Sequence, residues 1–484
     1  MDENVTFRVL LISPSSILEE GSGSRVYPHS TSPPLGLLYI AAVLLEKGYH
    51  VEVLDMNSES VRTRDQLAGR LRMSRPDLIG ISTLTPTFKS IVSIARVSKE
   101  ELPDSPIVLG GYFATFCHDR ILSKYDCFDF IVRGEGEETA VELVEELEKN
   151  KPVFSGMRGI TYRENGQIAI NEERPLKEDL DSLPFPAYEL VSHLTYGSFG
   201  GMRVTYRNLG GLLTSRGCPY RCRFCSCSAF TNATIRWRSP ENVVEELDYL
   251  YDRHGLNEYM VVDDIFTLNK KHVLSICRLI REHGLDLVWY CEGRVNQADE
   301  ALFREMVRAG CRAIYLGIES CADRILRYYR KGLTYDMAKD AAKKARRAGL
   351  DVIGSFILGA PIETVEEMWE TVRKAGELDI DFAKFNVLRI VRGMPLWEEL
   401  VDQGVIDDET QWEENIMGFK VNPEVAAMDS AALLTEFHRA FYLRKRYILQ
   451  QIKRSLLYRK KQLILNLRHP KRFIDELRET VHIR

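Results

Sequence analysis

The sequence lacks any run of about 18 uncharged apolar residues, which argues against a membrane-spanning helix. Residues 1–8 carry both signs of charge ahead of a short apolar run, unlike a secretory signal. Glycine, proline and cysteine are too scarce for a collagenous, disordered or disulfide-dense chain. The 484 residues therefore predict a globular, cytoplasmic protein of about two to four domains, whose ten cysteines are thiols or metal ligands.

The first 175 residues alternate short apolar runs with helical patterns. Strands are predicted at 9–12, 51–54, 78–82, 107–109 and 130–132, with a helix at 35–46. Continuous apolar strands separated by helices indicate a parallel sheet covered on both faces, which binds ligands at the carboxyl ends of its strands. The loops at those ends are rich in glycine, serine, threonine or proline, at 13–34, 83–87, 110–112 and 134–137. Each alone is typical of a tight turn, but four at one edge favour a cofactor cleft.

A second alternation begins after a linker that contains Pro-Phe-Pro at 184–186. Six strands are predicted at 211–215, 258–263, 287–292, 313–319, 352–358 and 382–390. Helices are predicted between them at 240–254, 271–283, 300–309, 335–348 and 363–378. Right-handed crossovers would curl these strands into a partial (β/α)6 TIM barrel, short of the eight strands that close a full one. The predicted α/β chain thus has domains at 1–175 and 206–395, a linker at 176–205 and a helical segment at 396–484.

Three cysteines follow the first barrel strand with the spacing CxxxCxxC: Cys218, Cys222 and Cys225. A loop of this length can wrap three thiolates around one metal centre and leave a coordination position open. Zinc is the alternative metal for this loop, although a structural zinc site usually has four ligands. Cys227 lies awkwardly close in sequence for that role.

The cysteine loop, with Phe224 before its third cysteine, resembles the radical S-adenosylmethionine superfamily. The resemblance implies that the three cysteines bind a [4Fe–4S] cluster and that Phe224 lies against the adenine of S-adenosylmethionine. Reductive cleavage of S-adenosylmethionine would then yield a 5′-deoxyadenosyl radical. The resemblance also implies an external electron donor of the flavodoxin or ferredoxin type.

The ends of the second and third barrel strands fit the same resemblance. Asp263 and Asp264 occupy the place of the family's Gly-Gly-Glu segment and would meet the methionine amino group. Arg294 would pair with the methionine carboxylate.

The next two strand ends imply contacts with the adenosine. Glu319 and Ser320 correspond to the family's ribose-contacting segment. Gly354 and Gly359 belong to a glycine-rich stretch that would lie beside the adenine. Singly these residues are typical of ordinary turns and solvated side chains, but their order at successive strand ends supports a cofactor site.

The first domain resembles the Rossmann-like cobalamin-binding domain fused to one class of these enzymes. The implied cobalamin contacts are Thr83, Gly110, Gly111, Tyr112, Gly134 and Glu135. The sequence lacks the Asp-x-His-x-x-Gly motif whose histidine ligates cobalt from below. Tyr112 or Phe113 is therefore predicted to cover the lower cobalt face. The alternative is a domain that has kept the fold and lost the cofactor.

Residues 439–472 contain 12 lysines and arginines and no acidic residue, with apolar residues at helical spacing. The formal net charge of −5 therefore divides into +12 for this tail and −17 for the rest. Such a segment suits an anionic membrane surface, here the inner face. It could equally cover an acidic substrate or form a solvated helix face. Nucleic acid is not the expected partner, since no RNA-binding module follows.

Together the resemblances imply an enzyme that uses cobalamin and a radical to functionalise an unactivated carbon, by methylation or by C–C bond or ring formation. The basic, apolar tail favours a hydrophobic substrate such as a lipid or a tetrapyrrole. The alternatives are a non-catalytic iron–sulfur or zinc module and a transfer-RNA methylthiotransferase, for which the first domain lacks a second cysteine trio. No residue is assigned as a catalytic acid or base.

Overall fold

The computed structural model describes residues 7–15, 32–199, 202–203, 208–445 and 447–449. The chain divides into two compact units. The first comprises residues 1–220, 226–258 and 391–415, and the second comprises residues 221–225, 259–390 and 416–484. The units thus interleave along the chain, whereas the sequence pattern predicts consecutive domains.

The first unit is built on a seven-stranded sheet of order β2-β1-β3-β4-β5-β6-β7. Its strands are β1 Arg8–Ser13, β2 His50–Asp55, β3 Leu78–Ser82, β4 Ile107–Gly110, β5 Phe130–Val132, β6 Ile160–Glu164 and β7 Gln167–Ile170. Strands β1 to β5 pair in parallel, as the sequence predicts. The antiparallel hairpin β6–β7 at the edge was not predicted. Its signal is Asn165-Gly166, a two-residue turn in which both residues have positive φ.

Helices between these strands and after them complete the first unit. The longer ones are Leu35–Glu46, Arg64–Ser74, Phe88–Glu101, Tyr112–Lys124, Glu137–Leu147, Pro240–His254 and Pro395–Asp402, and the short ones are Cys227–Phe230 and Asp408–Gln411. Residues 391–415 join the unit through Trp412, whose ring stacks on Phe113 at 6.1 Å and 12°. Phe88 packs against both of these rings, so the late segment completes an aromatic core begun by Phe88 and Phe113.

All six strands predicted for the second alternation are present. They are β8 Gly210–Leu212, in the first unit, and β9 Glu258–Val261, β10 Val288–Arg294, β11 Cys311–Glu319, β12 Asp351–Leu358 and β13 Phe382–Val387. Strands β9 to β13 are neighbours in chain order, and the last four pair in parallel. The helices of this unit are Lys270–Glu282, Glu300–Arg308, Asp323–Tyr328, Tyr335–Ala348, Val365–Ala375, Gly418–Val421 and Ser430–Tyr442. The α/β architecture predicted from the sequence is confirmed.

The helix Ser430–Tyr442 packs against β13, the last strand of the sheet. The Tyr442 hydroxyl accepts from the backbone N–H of Ala383 at 3.1 Å and donates to the Ala383 carbonyl at 2.8 Å. This contact occupies backbone groups that an edge strand leaves unpaired. The basic segment 439–472 lies largely outside the described residues. None of the helices in the described part of the chain has the length and apolar character that crossing a bilayer requires.

Candidate active site

The cysteine loop begins from a short antiparallel pair, in which Ser215–Arg216 lies against Arg236–Trp237. Gly217 follows with φ +97°, and a Cβ there would collide with the Thr234 carbonyl oxygen, so only glycine fits. Of the three cysteines, Cys222 is buried, whereas Cys218 and Cys225 are partly exposed. Within the described residues, no three His, Cys, Asp or Glu side chains stand ready to hold a metal ion. The start of the loop is therefore fixed, while assignment of its three thiols to one metal centre remains a prediction.

Arg294 lies at the end of β10 beside the second cysteine. Its Nη1 is 3.7 Å from the Sγ of Cys222, and its Nη2 donates to the Lys331 carbonyl. The side chain is buried. A buried guanidinium beside a sulfur offers positive charge where a thiolate ligand would carry negative charge, so the residues present fit a thiolate-bound metal centre.

Glu319 and Lys331 form a buried ion pair beside Phe224. Lys331 Nζ donates to Glu319 Oε1 at 2.7 Å and lies 5.6 Å from the Phe224 ring centroid. Glu319 has φ +69°, a strained conformation for a residue with a side chain. A Cβ on Gly317 would lie 2.6 Å from Glu319 Oε1, so this glycine leaves room for the pair. The carboxylate predicted to contact the ribose is thus held in place by a lysine.

Three other predicted adenosine contacts take part in packing. The Ser320 hydroxyl is 3.1 Å from that of Thr371 and accepts from the backbone N–H of Ala322 at 3.1 Å. Gly354 lies within a buried stretch of β12. Gly359 lies against the ring of Phe419. These contacts explain why the positions are small, and the adenosine contacts remain predictions.

One face of the second sheet carries polar side chains that the sequence analysis did not assign to the site. Glu292 is in register with Tyr315, and Ser355 is in register with Lys384. All four are partly exposed, whereas the residues alternating with them on these strands are mostly buried. The available signal was a charged residue directly beside apolar strand residues, since Glu292 follows Cys291 and Lys384 lies between Ala383 and Phe385. Of the predicted pair at the end of β9, Asp263 is buried and Asp264 is exposed.

Glu292 titrates unusually for a glutamate. Burial raises its pKa from the ordinary 4.5 to about 7, with help from the negative charges of Asp264 and Glu319 and against the positive charges of Lys384 and Lys331. Burial lowers the pKa of Lys384, and the charge of Glu292 opposes that shift. The polar face therefore holds a carboxyl group that can exchange its proton near neutral pH.

This pKa predicts a pH-dependent stability. The folded chain binds the Glu292 proton more tightly than the unfolded chain, so stability falls as pH rises from about 4.5 to 7 and this contribution is constant above 7. In Glu292→Gln that loss disappears, and we expect a smaller drop in urea midpoint between about pH 5 and 8. Asp286→Asn, which alters an exposed carboxylate just before β10, is the control. Equal drops for the wild type and Glu292→Gln would contradict the assignment.

The first unit brings together the predicted cobalamin contacts that follow β3 and β4. The Thr83 hydroxyl donates to the Gly110 carbonyl at 2.8 Å and accepts from the Ala114 N–H at 2.9 Å. The Thr83 N–H donates to the same carbonyl at 2.8 Å. Gly111 packs so closely that a Cβ there would lie 2.8 Å from the Thr83 carbonyl oxygen. The two loops therefore form one rigid edge.

The two aromatic residues after Gly111, Tyr112 and Phe113, lie in different environments. Tyr112 is partly exposed and stacks on Phe230 at 4.2 Å and 28°. Phe113 is 2% exposed within the hydrophobic core, so it is a core residue and not a ligand-facing one. Tyr112 therefore remains the aromatic candidate for the cofactor face.

The loop after β5 contains Gly134 and Glu135. The Gly134 N–H donates to the Thr115 hydroxyl at 3.0 Å. Glu135 accepts two hydrogen bonds from Arg236, both 2.8 Å long. Burial alone would raise the pKa of Glu135, but Arg236 and Arg216 outweigh it and lower that pKa. Glu135 is thus a buried ion-pair partner.

Comparison with known proteins agrees with this geometry. Residues 212–375 match the radical SAM superfamily, and residues 26–144 match the B12 binding domain. The uncharacterized methyltransferase PH0819 of Pyrococcus horikoshii is 34% identical over 450 residues, covering 92% of this chain and 94% of the relative. The anaerobic magnesium-protoporphyrin IX monomethyl ester cyclase of Cereibacter sphaeroides is 29% identical over 424 residues, covering 85% of this chain and 67% of the relative.

A solved structure has the same fold. The radical S-adenosylmethionine methyltransferase TsrM from Kitasatospora setae, with cobalamin and a [4Fe–4S] cluster bound, superposes with a TM-score of 0.67 at 20% identity. The match covers 82% of this chain and 78% of TsrM. With a relative 34% identical over nearly the whole length, the chain belongs to the radical SAM enzyme superfamily, in the class that carries a B12-binding domain before the radical SAM domain.

Proposed function

We propose that this enzyme uses a [4Fe–4S] cluster, S-adenosylmethionine and cobalamin to transfer a methyl group to an unactivated carbon. The observation that carries the proposal is the CxxxCxxC loop, whose second cysteine lies 3.7 Å from the buried guanidinium of Arg294. A 34% identical relative named as a methyltransferase favours methyl transfer. Ring closure is the second candidate, because another relative is named as a tetrapyrrole cyclase.

Cys218, Cys222 and Cys225 would hold the cluster. When bound, the cluster supplies the one electron that splits S-adenosylmethionine into methionine and a 5′-deoxyadenosyl radical. Arg294 would balance the negative charge of the thiolates and, from the same position, attract the methionine carboxylate. Lys331 holds Glu319 and lies near Phe224, which would orient the adenosine beside the cysteine loop.

Thr83, Gly110, Gly111, Tyr112 and Gly134 would hold cobalamin, which supplies a methyl group when bound. The hydrogen bonds of Thr83 make this edge rigid and preformed. Tyr112 would be the aromatic residue in contact with the cofactor, since no histidine follows Gly111 directly. Glu135 would support the loop through its arginines rather than through the cofactor.

We further propose a hydrophobic substrate and an external flavodoxin- or ferredoxin-type electron donor. Peripheral membrane contact would come from the basic segment 439–472. Co-sedimentation with anionic vesicles tests that contact, and equal partitioning of a chain truncated before residue 446 would contradict it.

The products of S-adenosylmethionine test the proposed reaction. Anaerobically reconstituted protein is reduced with dithionite in the presence of S-adenosylmethionine and candidate substrates. Methyl transfer predicts 5′-deoxyadenosine and S-adenosylhomocysteine in step with methylated product, whereas ring closure predicts 5′-deoxyadenosine without S-adenosylhomocysteine. A non-catalytic module predicts neither. Corrinoid absorbance of the reconstituted protein tests cobalamin binding in the same sample.

A further inference from the structure

Two glutamates after β5 bind the arginines at the base of the cysteine loop. Glu137 Oε1 accepts from Arg216 Nη2 at 2.7 Å, and Arg216 is the second residue before Cys218. Glu135 accepts from both terminal nitrogens of Arg236 at 2.8 Å. Arg216 and Arg236 are directly paired in the short antiparallel ladder whose two strands flank the loop in sequence. Both arginines of this pair are therefore bound by glutamates of one short stretch, residues 133–137.

The ion pairs are buried and mutually connected. The exposed fractions of the side chains are 15% for Arg216, 9% for Glu137, 7% for Arg236 and 12% for Glu135. Arg216 also reaches Glu135 at 3.5 Å, which joins the two pairs into one network. Charges at this depth lose hydration and stay ionised only when their partners hold a defined geometry. The network therefore restricts where the backbone before Cys218 can lie.

Further contacts hold the network in position. The guanidinium of Arg216 lies 5.1 Å from the centroid of the Tyr39 ring. Glu137 is the first residue of the helix Glu137–Leu147, where the helix dipole favours a negative side chain. Arg236 also donates to the Lys177 carbonyl at 2.8 Å. A helix N-terminus, an aromatic ring and a backbone carbonyl thus add favourable contacts to the charged side chains of the network.

We propose that Glu135 and Glu137 are positioning residues that set the geometry of the CxxxCxxC loop through Arg216 and Arg236. The inference rests on the proposed cluster at Cys218, Cys222 and Cys225. Hydrogen-bonded partners behind metal ligands commonly control how tightly the metal is held. Loss of the ion pairs would therefore loosen the cluster without removing any of its ligands.

The test compares Glu137→Gln and Glu135→Gln with the wild type after anaerobic reconstitution of the full chain. We expect faster iron loss to a chelator, by roughly tenfold, and an altered electron paramagnetic resonance spectrum of the reduced cluster. Glu137→Asp, which keeps the charge, should fall between the wild type and Glu137→Gln. Glu145→Gln is the matched control, because Glu145 lies on the same helix, is 47% exposed and pairs with Lys47 outside the network.

Circular dichroism and urea midpoints of the apoproteins separate positioning from unfolding. A wild-type spectrum and iron-loss rate in both glutamine variants would overturn the inference. The inference would also be overturned if the electron paramagnetic resonance spectrum were unchanged and the rate of iron loss rose only in proportion to the fraction of unfolded chain in each variant. If alanine variants of the three cysteines retained the cluster, the proposed function would fail instead. The two failures are therefore distinguishable.

Discussion

Replacement of Cys218, Cys222 or Cys225 by alanine is expected to abolish 5′-deoxyadenosine formation. Each substitution removes one of the three thiolates that a loop of this spacing can supply, and two thiolates are too few to hold the cluster. The measurements are iron per chain and 5′-deoxyadenosine released after reduction. The fold should persist, because each change removes only one sulfur atom from a loop side chain.

Cys227→Ala is the matched control for these variants. Cys227 is buried, lies two residues beyond Cys225 and begins the short helix Cys227–Phe230. It should keep its iron and its activity. Full activity in any one of the three loop variants would remove that residue from the ligand set. Loss of iron in Cys227→Ala would instead indicate that Cys227 is a fourth ligand of the metal centre.

Glu246→Leu is expected to destabilise the first unit by about 3–5 kcal/mol, since it leaves a buried arginine charge uncompensated. Glu246 is fully buried on the helix Pro240–His254 and binds Arg238, which is 5% exposed. Burial raises the pKa of Glu246, and Arg238 opposes that shift. The measurement is the free energy of unfolding, obtained from urea titration near neutral pH.

The double variant Arg238→Met/Glu246→Leu tests the physical reason. It removes both charges and fills similar volume, so it should recover most of the lost stability. Glu245→Gln, on the exposed side of the same helix, should change little. A loss below about 1 kcal/mol in Glu246→Leu would contradict an uncompensated buried charge.

The strands and helices were largely predictable because their apolar periodicity is local. The helices 35–46, 240–254 and 335–348 begin and end where the sequence pattern places them. The hairpin β6–β7 was missed because β7 is only four residues long and none of them is fully buried, although Asn165-Gly166 marked its turn. The packing of Trp412 on Phe113 joins residues some 300 positions apart, and no local pattern predicts such a contact.

The candidate site was predictable where chemistry requires a fixed spacing. The three cysteines and the glycines at strand ends can be read from short windows of sequence. Glu292 and Lys384 were overlooked, although each adjoins apolar residues of its strand, because their proximity to other charges depends on strand register. The Lys331 partner of Glu319 lies 12 residues away, across the helix Asp323–Tyr328.

The sequence by itself determined the order of strands and helices, the cysteine spacing and the family resemblance, because periodicity and spacing are properties of neighbouring residues. Tertiary structure alone decided which charges are buried together. Glu135 and Glu137 belong in sequence to the loop predicted to contact cobalamin, yet they bind the arginines that precede the cysteines and follow them. Burial strengthens such pairs and shifts pKa values, and it arises only when distant segments pack against each other.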